Sequence, residues 1–296
     1  MNDARSKVFF SKSITPENVI KLYKLLGFKP LGNIAVKVHS GEAGNQNFLR
    51  PAFWKPMVDY IGGTIVEANT AYGGERNTVE KHMKLFEVHG WSKYFKVDLL
   101  DAEGPDMTLA IPDGIKIKKD LVGKHISNYD SMVVLSHFKG HPMGGFGGAL
   151  KQLSIGCASS AGKAYIHSAG VTADPAEIWS HVAPQDDFLD SMADAASAVV
   201  SLFGGRIAYI NVMCNLSVDC DCCAVAEDPC MKDIGILASL DPVAIDKACV
   251  DLVYASNDRG RDHLVERIES RHGIRTVESA ASLGIGNLDY ELIEIE

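Results

Sequence analysis

A short apolar run, Met132-Val133-Val134-Leu135, sits between Ser131 and Ser136 and leads through His137 and Lys139 into a glycine-rich segment, His141-Pro-Met-Gly-Gly-Phe-Gly-Gly-Ala-Leu-Lys151. A continuous apolar run closed by polar residues is the pattern of a strand buried on both faces, and such strands occur where helices cover both sides of a mostly parallel sheet. This requirement constrains the fold more than any other feature of the chain. It also directs attention to the loop that follows, because open α/β sheets place ligands at the C-terminal ends of their strands.

The rest of the chain reads in the same rhythm. Lys7 to Phe10 predicts a strand, Thr15 a helix cap with Pro16 behind it, and Ile34 to Val38 a second strand. A helix over Pro51 to Ile61 leads through Gly62-Gly63 into the strand Thr64 to Glu67. Thr78 to His89 has helical periodicity that places His82 and His89 near one face. Turn signals between Asp98 and Lys119 predict strands and a hairpin, while Asp186 to Phe203 and Asp241 to Ala255 read as helices around the strand Arg206 to Met213. Asp241 precedes Pro242 as a helix cap would, Asp246 and Asp251 are given no catalytic role, and Asp258 to His263 reads as a solvated turn. The expected fold is α/β and two-lobed, with mixed or mostly parallel sheets, flanking helices and an interlobe cleft. The N-terminal lobe is expected over residues 1–100, and the C-terminal lobe over 101–296, carrying the glycine-rich loop and the cysteines.

Composition limits the partners. Of 296 residues, 29 are Lys or Arg and 38 are Asp or Glu, a net charge of -9 that offers no general footprint for nucleic acid. No run of apolar residues is long enough for a membrane span, and the N-terminus lacks the apolar core of a secretory signal, so a cytoplasmic protein with no membrane partner is expected. Five of the seven cysteines lie between Cys214 and Cys230, and a chain of this size needs no disulfide scaffold; reduced thiols or metal ligation follow. The oligomeric state is left open, a homo-oligomer included.

The glycine-rich segment lacks the Gly-Lys-Ser/Thr ending of a Walker A loop and the glycine spacing of a dinucleotide fingerprint. Gly144, Gly145, Gly147 and Gly148 permit close approach of the backbone to a ligand, with an imidazole and an amine at either end of the loop and His167 beyond. A glycine-lined turn with a solvated lysine and satisfied histidines is the competing reading.

Ser136 to His167, with Cys220-Asp-Cys222, Asp233-Ile-Gly235, Ala244-Ile-Asp246 and the closing Leu283-Gly-Ile-Gly-Asn-Leu-Asp-Tyr290, resembles the bacterial and archaeal family of domain of unknown function 362. Many of its members look like iron-sulfur proteins with a ferredoxin-type insertion. No Cys-x-x-Cys-x-x-Cys run occurs here, and Asp174 to Val200 is free of cysteine. A more distant resemblance is to the lactate racemase family, through the spacing of His141, Gly145-Phe-Gly-Gly148, Lys151 and His167. That resemblance implies a cofactor, in the family a nickel-pincer nucleotide, held by Lys151 with Gly145, Gly147 and Gly148. It also implies His167 as a metal ligand and His141 as the group that exchanges the substrate proton. Ala149 and Leu150 depart from the family pattern. The family's early Arg-Pro pair, which recognises a carboxylate, corresponds to Arg50-Pro51; otherwise Arg50 merely precedes a helix. His82 would supply the second proton-transfer imidazole.

The cysteines carry a second expectation. Soft ligands at this density suit nickel, iron, zinc or an iron-sulfur cluster, with Cys220 and Cys222 converging from a turn; buried thiols are the alternative. The function expected is therefore an enzyme, racemase- or epimerase-like, acting on a small carboxylate or hydroxy acid by proton or hydride transfer. The alternatives are a metal- or iron-sulfur-binding redox or accessory protein and a non-catalytic ligand-binding module.

Overall fold

The computed structural model describes residues 5–296; residues 1–4, part of the segment read above for a secretory signal, lie outside it. The strands are β1 (Ser6–Ser11), β2 (Ile34–Lys37), β3 (Thr64–Glu67), β4 (Val97–Leu99), β5 (Met107–Ala110), β6 (Lys119–Val122), β7 (Ser131–His137), β8 (Lys139–His141), β9 (Gly145–Gly147), β10 (Ile207–Met213), β11 (Gly235–Ser239) and β12 (Tyr290–Glu294). The helices are α1 (Pro16–Leu25), α2 (Pro51–Ile61), α3 (Val79–Val88), α4 (Trp91–Tyr94), α5 (Ala149–Cys157), α6 (Ser160–His167), α7 (Gln185–Phe203), α8 (Pro242–Ala255), α9 (Arg261–Ser270) and α10 (Ile274–Ser282).

Eight strands form one sheet in the order β12-β1-β11-β10-β7-β2-β3-β4. Only β11 runs against the other strands. The predicted apolar run is β7, fully buried at the centre. Its alternation fixes the layers: Met132 and Val134 enter one hydrophobic core with α5, α7, α8 and α10, whereas Val133 and Leu135 enter the other with α1, α2 and α3. The result is a three-layer α/β/α sandwich. Strands from either side of residue 100 share this sheet, so the expected boundary there does not divide two sheets. The segment from Asp98 to Lys119 supplies the edge strand β4 and one strand of the antiparallel pair β5–β6, and Arg261 opens α9 where a solvated turn was expected.

Caps define the helix starts. The Thr15 hydroxyl accepts from Asn18 N–H, Thr78 from Lys81 N–H, and Asp241 from Val243 and Ala244 N–H. A cap from outside the helix matters more to the site. Asp246, buried on α8, accepts from the N–H groups of Ala149 and Leu150 at 2.8 and 2.9 Å and from Asn211 Nδ2 at 2.7 Å. Burial pushes its carboxyl up to about 6, with those hydrogen bonds opposing the shift. It thereby anchors the start of α5 and the end of the glycine-rich loop. A Cβ at Gly148 would lie 2.3 Å from Asp246 Oδ1, so this loop residue must be glycine for close approach.

We predict that Gly148→Ala destabilises the fold by roughly 1–3 kcal/mol. Asp246→Ala, which strands two buried N–H groups, should cost about 3 kcal/mol or more. Urea unfolding measures both, as lower midpoints at an unchanged slope.

Candidate active site

Strands β2, β3 and β4 follow one another in one direction across the sheet, whereas β7 and β10 extend from β2 in the other. The reversal falls between β2 and β7, a topological switch point of the kind that opens a crevice at strand C-termini. The last residues of β2, β3 and β7 are Lys37, Glu67 and His137, and all three line a pocket there. It holds ≈ 550 Å³ of empty space, counting the part open to solvent, and its other walls include His39, Tyr72, Arg76, Lys139, Gly147, Gly148, Lys151, Gln152, Lys163, Cys220 and Cys222.

Five basic side chains (Lys37, Arg76, Lys139, Lys151, Lys163) face a single lining carboxylate, Glu67. Each is held differently. Lys37 Nζ donates to Val38 O at 2.5 Å and to Gln152 Oε1 at 2.8 Å, and burial lowers its pKa. Lys139 Nζ donates to Asp221 Oδ2 at 2.6 Å. Lys163 Nζ donates to Ala158 O at 2.6 Å, and burial brings its pKa down to about 8. Lys151 Nζ makes no hydrogen bond among the described residues. Arg76 Nε donates to Glu42 Oε2 at 3.1 Å and its Nη1 lies 3.3 Å from His39 Nε2, but the buried Nη2 has no partner. Unpaired guanidinium nitrogens are costly inside a protein, so this one marks where an acceptor belongs.

Glu67 is fixed from behind. Its carboxylate accepts from Ser40 N–H and Oγ at 3.1 and 2.5 Å and lies 2.9 Å from His82 Nε2. Burial alone would raise its pKa, but the His82 contact and the Lys37 charge prevail and hold it well below the ordinary carboxylate range. His82 itself is fully buried, with Nδ1 3.2 Å from Asn69 Oδ1 and its ring stacked on Phe86. His82, read from the sequence as a proton-transfer imidazole, does not line the pocket, and its Nε2 contacts Glu67 from behind.

Asp221 organises the opposite wall. Its carboxylate lies 3.0 Å from His137 Nδ1, whose Nε2 faces Cys214 O at 2.6 Å, and it also accepts from Lys139. Burial raises its pKa, and the charges of His137 and Lys139 overcome that and hold it far below the normal value. Asp221 separates Cys220 from Cys222, and both thiols reach the pocket.

The sequence-predicted residues fall into two groups. Lys151, Gly147, Gly148, Cys220 and Cys222 line the pocket. Gly145 does not: at φ +78 it packs on Gly273, where a Cβ would come 2.9 Å from Gly273 Cα. Arg50 is exposed, caps the start of α2 without a side-chain bond, and lays its guanidinium 3.8 Å from the Phe48 ring centre. It does not line the pocket, whose lining guanidinium is that of Arg76. His141 and His167 are buried beside the pocket wall, each brought down to about 4 by burial, with the Lys151 charge adding to the shift. His167 Nδ1 lies 2.7 Å from Lys163 O and its ring packs on Phe188. His141 Nδ1 accepts from Gly144 and Met143 N–H at 2.8 and 3.2 Å, and its Nε2 lies 3.8 Å from Cys222 Sγ. Among the described residues, the ligand-like group of at least three His, Cys or acidic side chains is His141, Cys220 and Cys222, with ligand atoms within 4.8 Å of one another; His167 is not in it. The cysteine cluster divides, since Cys214 lies in the second core and Cys230 Sγ donates to Leu216 O at 3.1 Å.

The matching family model, described as Domain of unknown function (DUF362), covers residues 34–251. The chain belongs to this family. Among solved structures, it is similar to the lactate racemase apoprotein of Thermoanaerobacterium thermosaccharolyticum, with 14% identity and a TM-score of 0.43 over 72% of this chain and 52% of that one. A Thermotoga maritima protein from a structural genomics consortium matches with 12% identity and a TM-score of 0.44, over 90% of this chain and 58% of that one. This DUF362 chain thus spans little more than half the length of either structure. No curated protein matches it. Among the described residues, no helix is long and apolar enough to cross a membrane.

Asp221→Asn should leave Lys139 buried without its counter-charge, and we predict a loss of about 3–5 kcal/mol in unfolding free energy by urea titration. An unchanged midpoint would show that the lysine does not depend on this carboxylate.

Proposed function

We propose that this protein is an enzyme that binds a small carboxylate, such as a hydroxy acid, in the switch-point pocket and moves a proton at the carbon beside it. The observation that carries the reading is the unpartnered Nη2 of Arg76 in a pocket whose wall is dominated by lysines. A guanidinium offers parallel donors to a planar carboxylate, and one already desolvated and fixed by Glu42 loses little freedom on binding. The low dielectric of the site strengthens the attraction.

Lys163 is the group suited to take the proton. Its pKa of about 8 supplies a substantial neutral fraction near physiological pH, where an exposed lysine supplies almost none. Glu67, held as a carboxylate by His82 and Ser40, can orient a substrate hydroxyl by accepting its hydrogen bond. Lys151 lines the same pocket with an uncommitted amine and would suit an anionic group or a tethered cofactor. His167 does not line the pocket, so the paired lysine and metal-ligand roles implied by the racemase resemblance do not both fit these residues. The iron-sulfur reading is disfavoured by the division of the cysteine cluster.

The test is hydrogen exchange at the α-carbon of a panel of 2-hydroxy acids in deuterated buffer, followed by NMR. We expect exchange with at least one of them and a rate that rises with pH through about 8, because raising the pH converts Lys163 to its neutral, basic form. Lys163→Arg should remove that rise. Arg76→Ala should weaken carboxylate binding roughly 10- to 100-fold, the value of a charged hydrogen bond. Binding without exchange across the panel would identify a non-catalytic ligand-binding module, and binding indifferent to Arg76→Ala would refute the placement.

A further inference from the structure

We propose that Cys220, Cys222 and His141 form an open site for a zinc-class divalent metal ion at the edge of the pocket. The site stands on its own geometry and does not depend on what the basic wall binds. The sulfur-bearing turn is rigid before any metal enters. Cys223 N–H donates to Cys220 O at 3.0 Å, Glu42 N–H to Asp221 O at 2.8 Å, and Asn45 Nδ2 to Cys223 O at 2.8 Å. The intervening Asp221 is occupied by Lys139 and His137. The close approach of Gly140 also fixes the strand that bears His141, since a Cβ there would come 2.4 Å from Val218 O.

The third ligand arrives from β8. Bond lengths of ~2.3 Å to sulfur and ~2.0 Å to nitrogen place tetrahedral ligand atoms roughly 3.5–3.8 Å apart. Cys222 Sγ and His141 Nε2 are 3.8 Å apart, and all three ligand atoms lie within 4.8 Å, so the heavy atoms need only a small contraction. In the metal-free protein Nδ1 accepts from two backbone N–H groups, so the ring proton sits on Nε2, the nitrogen aimed at the sulfurs. On binding, that proton passes to Nδ1, the Met143 and Gly144 N–H groups turn away from it, and Nε2 ligates as neutral imidazole. Both thiols lose their protons, and two protons leave to solvent. Two cysteines and one histidine are the ligand number of a catalytic rather than a structural zinc centre, which keeps a position open. Cys220 and Cys222 both line the pocket, so the open position faces it.

Cobalt(II) titration of the metal-free full chain tests this. One equivalent should produce thiolate-to-cobalt charge-transfer absorption, and added azide should shift the visible bands by entering the open position. Cys220→Ser and Cys222→Ser should each weaken cobalt binding at least tenfold, as should His141→Ala, while Cys223→Ser leaves it unchanged. Zinc protection of two thiols of the wild-type chain against a thiol reagent gives the same answer without a variant, should one fail to fold. No thiolate band and no protected thiol would overturn the site. Unchanged affinity in folded His141→Ala would overturn the three-ligand assignment, and bands indifferent to azide would overturn the open position.

Discussion

The buried carboxylate of Asp221 is the interaction on which the geometry of the pocket depends. It joins the end of β7 through His137, the following β8 through Lys139, and the loop before α2 through its own carbonyl and Glu42 N–H. Burying three ionisable groups is costly unless each is hydrogen-bonded, and here the carboxylate meets both partners while the remaining His137 nitrogen meets Cys214 O. The cluster consequently holds the cysteine turn in one position against the sheet. Packing alone would not do this, because the turn carries few large apolar side chains.

The same pairing decides which charges are left for a ligand. Lys139 is matched by Asp221, Arg76 by Glu42, and Lys37 lies near Glu67. Against the five basic side chains of the wall, Glu67 is the single lining carboxylate, in a chain whose net charge is -9. A locally positive cavity in an acidic protein selects small anions that can enter it and repels large polyanions at its surface. That contrast supports the small anionic ligand proposed above.

Period and turn chemistry made most elements legible in the sequence. The buried run of β7 announced a covered sheet, and Thr15 and Asp241 are caps in both readings. The glycine-rich loop was legible as a strand-end segment because it follows β7; its Gly147 and Gly148 line the pocket, whereas Gly145 packs on Gly273. Arg50 and Arg76 show where local reading stops. The Arg-Pro pair marks a helix start whatever its function, whereas Arg76 sits in a polar loop turned inward by Glu42, distant in sequence. A lysine at the end of an apolar strand, Lys37, and a glutamate at the end of the next, Glu67, were the signals that could have located the wall. Cysteine density likewise could not show that Cys214 and Cys230 turn away from Cys220 and Cys222, because that division is made by the strands and loops between them.

Placement at the switch point explains why so many ionisable groups can share one pocket. Lys37 lies opposite Val66 in the parallel register of β2 and β3, so Glu67 extends one residue beyond it. Neighbouring strands therefore present opposite charges at different heights, and neither has to be buried unpaired. The loops that follow these ends come from distant parts of the chain and converge only there. The same convergence orients His141. In the metal-free protein its Nδ1 accepts from two backbone donors, and Nε2 points to the sulfurs. A histidine so oriented faces the cysteines and lies outside the pocket lining, so the proton transfer proposed above falls to side chains on the wall, where burial lowers the pKa of Lys163.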